Sequence, residues 1–301
     1  QAQKASASAS LSAVDQTAKN YIGGKQARPD GGDSLTVLDH KGRFAGLVGQ
    51  GAAKDIRNAF AAAEAAKGWA GQSAHNKAQI LYYIAENLSY RASEFAARLT
   101  SLTGASKAAA EKEVATSVER LFTAAAYADK YEGSVHTPPM RGVALAMKEA
   151  IGVVGIVCPD EAPLLALVSL TAHAITMGNT AVVVPSQRYP LLATDFYQVL
   201  ETSDVPAGVV NIVTGARAVL ADTLAKHHGV DGLWFFGEGE VCKSIEALSA
   251  ENMKRLWLSY GKAYDWYNAS QTAGKAVLAR SVEVKNIWVP YGDMTSAGKA
   301  Y

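Results

Sequence analysis

An α/β fold, a doubly wound parallel sheet of about five strands preceded by helices, is predicted by three observations on the sequence. Short β-branched runs recur after Val143. Helical stretches separate them, and a crossover helix between short buried strands implies parallel pairing. The residues before Gly133 carry helical periodicity instead. With 301 residues, 49% of them hydrophobic, the chain can bury a sizeable core in one or two domains.

The elements follow in order. The opening QAQKASASASLSA is Ala/Ser-rich, lacks a Met and has no apolar leader core; residues 1–20 read as a linker or a cut end. Residues 21–51 alternate apolar residues with Gly, Pro and Asp, the pattern of a hairpin or small sheet. From Asp55, Ile56, Phe60 and Ala63 share a helical face that Gly68 ends. Ser73 is placed to cap a second helix, and Ile80, Ile84, Leu88, Phe95, Leu99 and Leu102 predict one long helix up to Gly104. Val114, Val118, Leu121, Ala125 and Ala128 predict a third, after which PPM forces an extended connection. The expected strands are 153–158, 180–184, 209–213, 233–236 and 255–259, with helices beginning near Pro163, Pro190, Ala216 and Val241. A late alternating strand, VEVKNIWVPYGDM, is free to pair with the opening hairpin or with another subunit.

Charge narrows the function classes. Twenty-nine basic against 28 acidic residues, with no long Lys/Arg run, give no electrostatic footprint for nucleic acid or an anionic membrane. No apolar run is long enough to span a bilayer. Cys158 and Cys242 fall outside metal-ligand spacing and suit a reducing cytoplasm, which is the expected location. Both read as packed small hydrophobes. No metal is expected: His227 and His228 are adjacent, do not converge on one ion, and read as a turn before the fourth strand.

Ligands of such sheets sit outside the carboxyl ends of the strands. There the sequence offers Asp160 and Glu161 after the first strand, Ser186 and Gln187 after the second, Gly237 and Glu238 after the fourth, and Ser259 after the fifth. The paired acids could serve as an acid/base couple or as solvated loop residues. Ser259 has no base near it in sequence. Trp257, Tyr264, Trp266 and Tyr267 cluster in sequence beside these ends and suggest aromatic packing.

The blocks GVVGIVCP, GNTAVVVPS, VPAGVVNIVTG, VDGLWFFGEGEV and KRLWLSYGK stand in an order that resembles the cofactor-binding domain of the aldehyde dehydrogenase superfamily. The early FAAAEAAKGWAGQSAHNKAQILYYIAENL resembles its N-terminal helices, and IWVPYGD its oligomerisation strand. The resemblance implies a Rossmann-like domain over 21–262, followed by a connection and oligomerisation strand over 263–301. It implies NAD as the parent family's cofactor. It also implies a catalytic domain with a Gly-Gln-x-Cys-like motif, and no such block stands between LSYGK and IWVPYG. Without a thiolate no thiohemiacetal forms.

Position by position, the resemblance sets Glu161 where an oxyanion-holding amide belongs, and a carboxylate would repel that oxyanion. Val184 stands in place of the ribose-binding lysine, in a Val184-Pro185-Ser186-Gln187 block whose Gln187 replaces a glutamate. Gly237-Glu238-Gly239-Glu240 puts two acids where a pyrophosphate would lie, and Ser259 stands at the basic glutamate. The turn and packing residues Pro159, Pro163, Gly178, Gly208, Gly215 and Gly261 persist. The expectation is a pseudoenzyme region resembling the non-catalytic C-terminal half of aldehyde dehydrogenase family sixteen. No cofactor is expected for this chain. Its expected partners are a second copy, as a homodimer, and an active dehydrogenase domain of the same polypeptide. The competing readings are a divergent NAD-dependent aldehyde dehydrogenase and a small-molecule sensor.

Overall fold

The structure, a computed structural model, describes residues 15–291. Most of the expected linker, and the GDM end of the late strand, lie outside the described residues. The fold is under way by Ala18, which bridges Val48, and by Asn20, which is fully buried.

The opening segment forms β1 (Asn20–Ile22) and β2 (Lys25–Ala27), then a separate hairpin of β3 (Ser34–Leu38) and β4 (Phe44–Gly49). Helix α1 (Ala53–Ala65) buries Ile56, Ala59 and Ala63. The long helix expected between Ser73 and Gly104 is two helices, α2 (Ala74–Tyr90) and α3 (Ala92–Thr103). Ser73 does cap α2, its Oγ accepting from the Asn76 N–H, and Gly104 closes α3 at φ 76°. The break at Arg91 keeps Leu88 and Phe95 both fully buried, so a seven-residue spacing does not reveal it. Helix α4 (Lys107–Tyr127) completes this layer.

Next come β5 (Ser134–His136) and β6 (Gly142–Ala150). The second was not expected, because GVALAMKEA is rich in good helix formers. Pairing on both sides overrides that preference. The alternating unit then runs as β7 (Val153–Val157), α5 (Pro163–Thr176), β8 (Thr180–Val184), α6 (Leu191–Glu201), β9 (Val210–Ile212), α7 (Arg217–Lys226), β10 (Gly232–Phe235), α8 (Gly239–Ser249) and β11 (Arg255–Leu258). Two short helices, α9 (Ala269–Thr272) and α10 (Lys275–Leu278), lead to β12 (Val282–Pro290).

The main sheet has the order β11-β10-β7-β8-β9-β1-β2. Its first five strands are parallel, as the sequence predicts, and β1 joins β9 antiparallel. Alternate residues feed two cores. Val154, Ile156, Ala181 and Val183 face a layer built on α2 to α6, while Val153, Val157, Val182 and Val184 face α1, α7 and α8. Strand β12 does not pair with the opening hairpin: it runs antiparallel to β6 over the whole of Val282–Pro290 and forms one edge of a sheet ordered β12-β6-β5. No described helix is long and apolar enough to cross a membrane.

Candidate functional site

The order of the sheet fixes where a site can form. From β7 the chain winds to β8 and β9 on one side and to β10 and β11 on the other, so the crevice opens outside the carboxyl ends of β7 and β10. A cleft of about 320 Å³ lies there, lined among others by Asp160, Glu161, Arg217, Glu238, Lys262 and Tyr264. That is the low end for small-molecule pockets.

The acids after β7 do not act as a pair. Asp160 accepts from the Ser186 hydroxyl, whose oxygen in turn accepts from the Tyr189 N–H, while Glu161 is exposed. Ser259 is buried, and its hydroxyl is clasped to one backbone unit: it accepts from the Gly237 N–H at 2.8 Å and donates to the Gly237 carbonyl at 3.0 Å. Gly261 N–H donates to that same carbonyl at 2.7 Å, tying the end of β11 to the end of β10. A Cβ at Gly237 would meet the Phe235 ring at 2.5 Å, so any other residue there would push that ring aside. Val184 is buried within β8. Both cysteines are free and buried, and burial pushes the Cys158 thiol up to about 12.

Of the four helices of the parallel unit that start at this edge, α5, α7 and α8 border the cleft, and helix N-termini favour anions. Each one meets the chain's own side chains. The α5 amides of Leu164 and Leu165 donate to Glu113 of α4 at 2.9 and 3.2 Å. Burial raises the Glu113 carboxyl and these two bonds lower it, with burial dominant. At α7 the Arg217 N–H donates to the Gln187 side chain at 2.8 Å. Helix α8 carries Glu238 at its cap and Glu240 in its first turn, the latter paired with Lys243.

Arg217 is the residue that sequence reasoning missed. Its guanidinium lies 4.9 Å from the centre of the Phe235 ring and donates to the Phe236 carbonyl, so the arm crosses from α7 to the end of β10. Burial lowers its pKa, with the Asp160 carboxylate the largest opposing influence and Glu161 a smaller one. Its place at the first residue after a strand-end turn was the available signal.

The wall of the cleft beyond β11 is aromatic. Phe236 packs edge-on against Trp257, Tyr264 and Trp266 at 4.9 to 5.5 Å, and Trp257 Nε1 donates to the Tyr264 hydroxyl. Tyr267 stands apart from these rings, under Lys112. Arg120 is buried and holds this loop through the Trp266 and Tyr267 carbonyls. His173, fully buried in α5, accepts from the Gly274 N–H. Glu113 and Arg120, seven residues apart on one buried face of α4, were overlooked because charged residues rarely mark a core stripe. The two histidines diverge: His227 packs on Phe60 at 4.1 Å and His228 pairs with Glu251. No group of three or more potential metal ligands is gathered among the described residues.

Comparison with known proteins agrees with this architecture. The family described as "Aldehyde dehydrogenase family" matches residues 31–264. The human cytosolic 10-formyltetrahydrofolate dehydrogenase is 30% identical over 251 residues, covering 80% of this chain and 28% of its own length. A hydroxyisobutyraldehyde dehydrogenase of Mycolicibacterium austroafricanum is 30% identical over 244 residues, with 80% and 48% covered. A solved NAD-dependent aldehyde dehydrogenase from Sinorhizobium meliloti superposes with a TM-score of 0.77 at 26% identity, covering 80% of this chain and 49% of that one. The chain thus spans half or less of the length of these relatives.

Proposed function

Because the chain belongs to the aldehyde dehydrogenase family, we propose that it is a non-catalytic module of that family with a structural and dimerising role. In this reading it supports an active NAD-dependent dehydrogenase region of the same polypeptide, in the cytoplasm, and itself takes no cofactor. The observation that carries the reading is the clasp on Ser259: the residue at the family's basic position uses its hydroxyl on Gly237 and has none left for substrate. The burial of both thiols supports it from the side of the nucleophile.

The dimerising role rests on the three-stranded sheet. Register and alternation put Val135, Val143, Leu145, Met147, Ile287 and Val289 on one face, with Val135 69% exposed and Val289 43% exposed, and with Lys285 and Glu149 paired at its far end beside Glu283. The apolar part of this face is the interaction surface in this reading, and its occupant is a second copy.

A second reading, a divergent NAD-dependent aldehyde dehydrogenase, draws on the groove between α7 and α8, about 330 Å³ with Ala221, Val241, Ile245 and Leu248 on its walls. NADH formation from a panel of aldehydes separates the two. The folded chain is expected to give flat traces with every aldehyde, and turnover of any of them overturns the non-catalytic reading.

A further inference from the structure

The family's dinucleotide cofactor can be tested against the residues that this chain places at the crevice. A dinucleotide needs donors for its pyrophosphate and room beside the strand ends. The donors at α5, at the start of α7 and at the end of β10 are in use, the α5 amides on Glu113, the Arg217 amide on Gln187 and the Gly237 amide on Ser259, while the first-turn amides of α8 carry no side-chain cap. The field at α8 is reversed, since Glu238 and Glu240 set two carboxylates at the positive end of its dipole. The room is crossed by the Arg217 arm, which rests on Phe235 and bonds to the Phe236 carbonyl. The cleft does not fit the cofactor.

An arginine could in principle attract a phosphate. This one is already engaged, because its face lies on an aromatic ring, one amine serves a carbonyl, and the carboxylates of Asp160 and Glu161 offset its charge. A bound anion would have to displace those partners.

We propose that Arg217 is an internal occupant of the dinucleotide crevice, and that together with Glu238 it keeps this domain free of adenine dinucleotides. The inference rests on the non-catalytic reading and adds its physical cause: the crevice is crossed by the Arg217 arm and the field at α8 is opposed by Glu238 at its cap, while the strands and helices around the cleft stay in place. Removing both obstacles reopens the site.

The experiment uses the whole chain and NAD itself as the probe. Thermal melting and native mass spectrometry are followed with rising NAD for the unmodified protein, Arg217→Gly, Arg217→Lys, Glu238→Ser and the double variant Arg217→Gly/Glu238→Ser. A ligand that binds only the native state raises the melting temperature in a saturable way. The double variant is expected to gain a saturable rise of about 2–4 °C and a one-to-one adduct. The unmodified chain and Arg217→Lys, which keeps the arm, are expected to show neither. Arg217→Gly is expected to gain less than the double variant, because Glu238 remains.

A folded double variant that gains no saturable binding, beside an unmodified chain that shows none, overturns the role of Arg217 and leaves the non-catalytic reading standing. Saturable binding by the unmodified chain overturns the plugged crevice itself; NADH formation by it overturns the non-catalytic reading. If glycine at 217 prevents folding, Arg217→Ala/Glu238→Ser carries the same expectation with a better helix former. Failure of both to fold would make the arm part of the core and overturn its role as a plug.

Discussion

The carboxyl edge of the main sheet and the outer three-stranded sheet differ in what they leave over. At the carboxyl edge, polar groups are turned inward: Asp160 on Ser186, Ser259 on Gly237, Gln187 on α7 and Glu113 on α5. At the outer sheet, apolar groups are turned outward, with Val135, Met147, Trp288 and Val289 all exposed. In the proposed reading, the interacting surface of this domain is the outer sheet rather than the crevice.

Asn179, at the amino end of β8, is one of the ties between the main sheet and the outer sheet, and breaking it gives the largest expected effect. Asn179 is fully buried; it accepts from the Gly152 N–H between β6 and β7 and donates to Ala174 of α5 and to Ser281 at the root of β12. Asn179→Ala leaves three buried groups without partners. It should cost about 3–5 kcal/mol in urea unfolding. Faster hydrogen exchange should appear at the roots of both outer strands, and unchanged exchange there would refute the link.

The tie from α5 to the segment that leads into β12 has a pH signature. Burial lowers His173 to about 4, so between that value and the ordinary 6.5 the unfolded chain takes up a proton that the folded chain refuses. The stability it contributes is fully present above about pH 6.5, declines as pH falls toward about 4, and is flat below. The full loss is about 3 kcal/mol. Glu113, raised by burial, works in the opposite sense, and Arg120 disfavours the imidazolium beside it. The comparison is therefore made with His173→Gln, which keeps both. An equal loss in the two proteins between pH 7 and pH 4 would show that His173 stays neutral for no energetic reason.

Within the carboxyl edge, Glu113→Ala should cost about 2 kcal/mol by orphaning the two α5 amides, whereas Glu113→Gln keeps an acceptor and should cost about half as much. Equal losses would mean that the charge, rather than the acceptor, holds α5.

Much of this architecture is legible in the sequence. Three of the five parallel strands show as short β-branched runs and the other two as short Leu and aromatic ones, and Ser73 and Gly104 show because caps depend on local chemistry. Strand β6 was hidden, since its alanines and lysine favour a helix and only β5 and β12 beside it make a strand. The break at Arg91 was hidden for a different reason, because apolar spacing continues through it. At the site, the identities of Asp160, Gln187, Glu238 and Ser259 were visible from their place after strands, but their partners were not. The Arg217 arm, the Glu113 bonds and the Ser259 clasp join residues 18 to 52 positions apart, and no local pattern records such pairings.

The smallest effect on stability tests the outer sheet most directly. Val135 and Val289 share its apolar face with Leu145 and Val143 between them, while Trp288, one residue from Val289, points to the other side. Both valines are exposed in a single chain, so Val135→Lys/Val289→Lys should change unfolding free energy by about 0.5 kcal/mol or less. In a dimer built on that face, two lysines per copy would be buried against two more. Like charges without partners at an interface core are strongly disfavoured. The double variant is therefore expected to halve the mass measured by light scattering while melting almost as the unmodified chain does. Trp288→Lys, on the opposite face, should leave the mass unchanged. If the double variant keeps the full mass, the apolar face is not the dimer contact; if Trp288→Lys alone halves it, the contact lies on the other side of the same sheet.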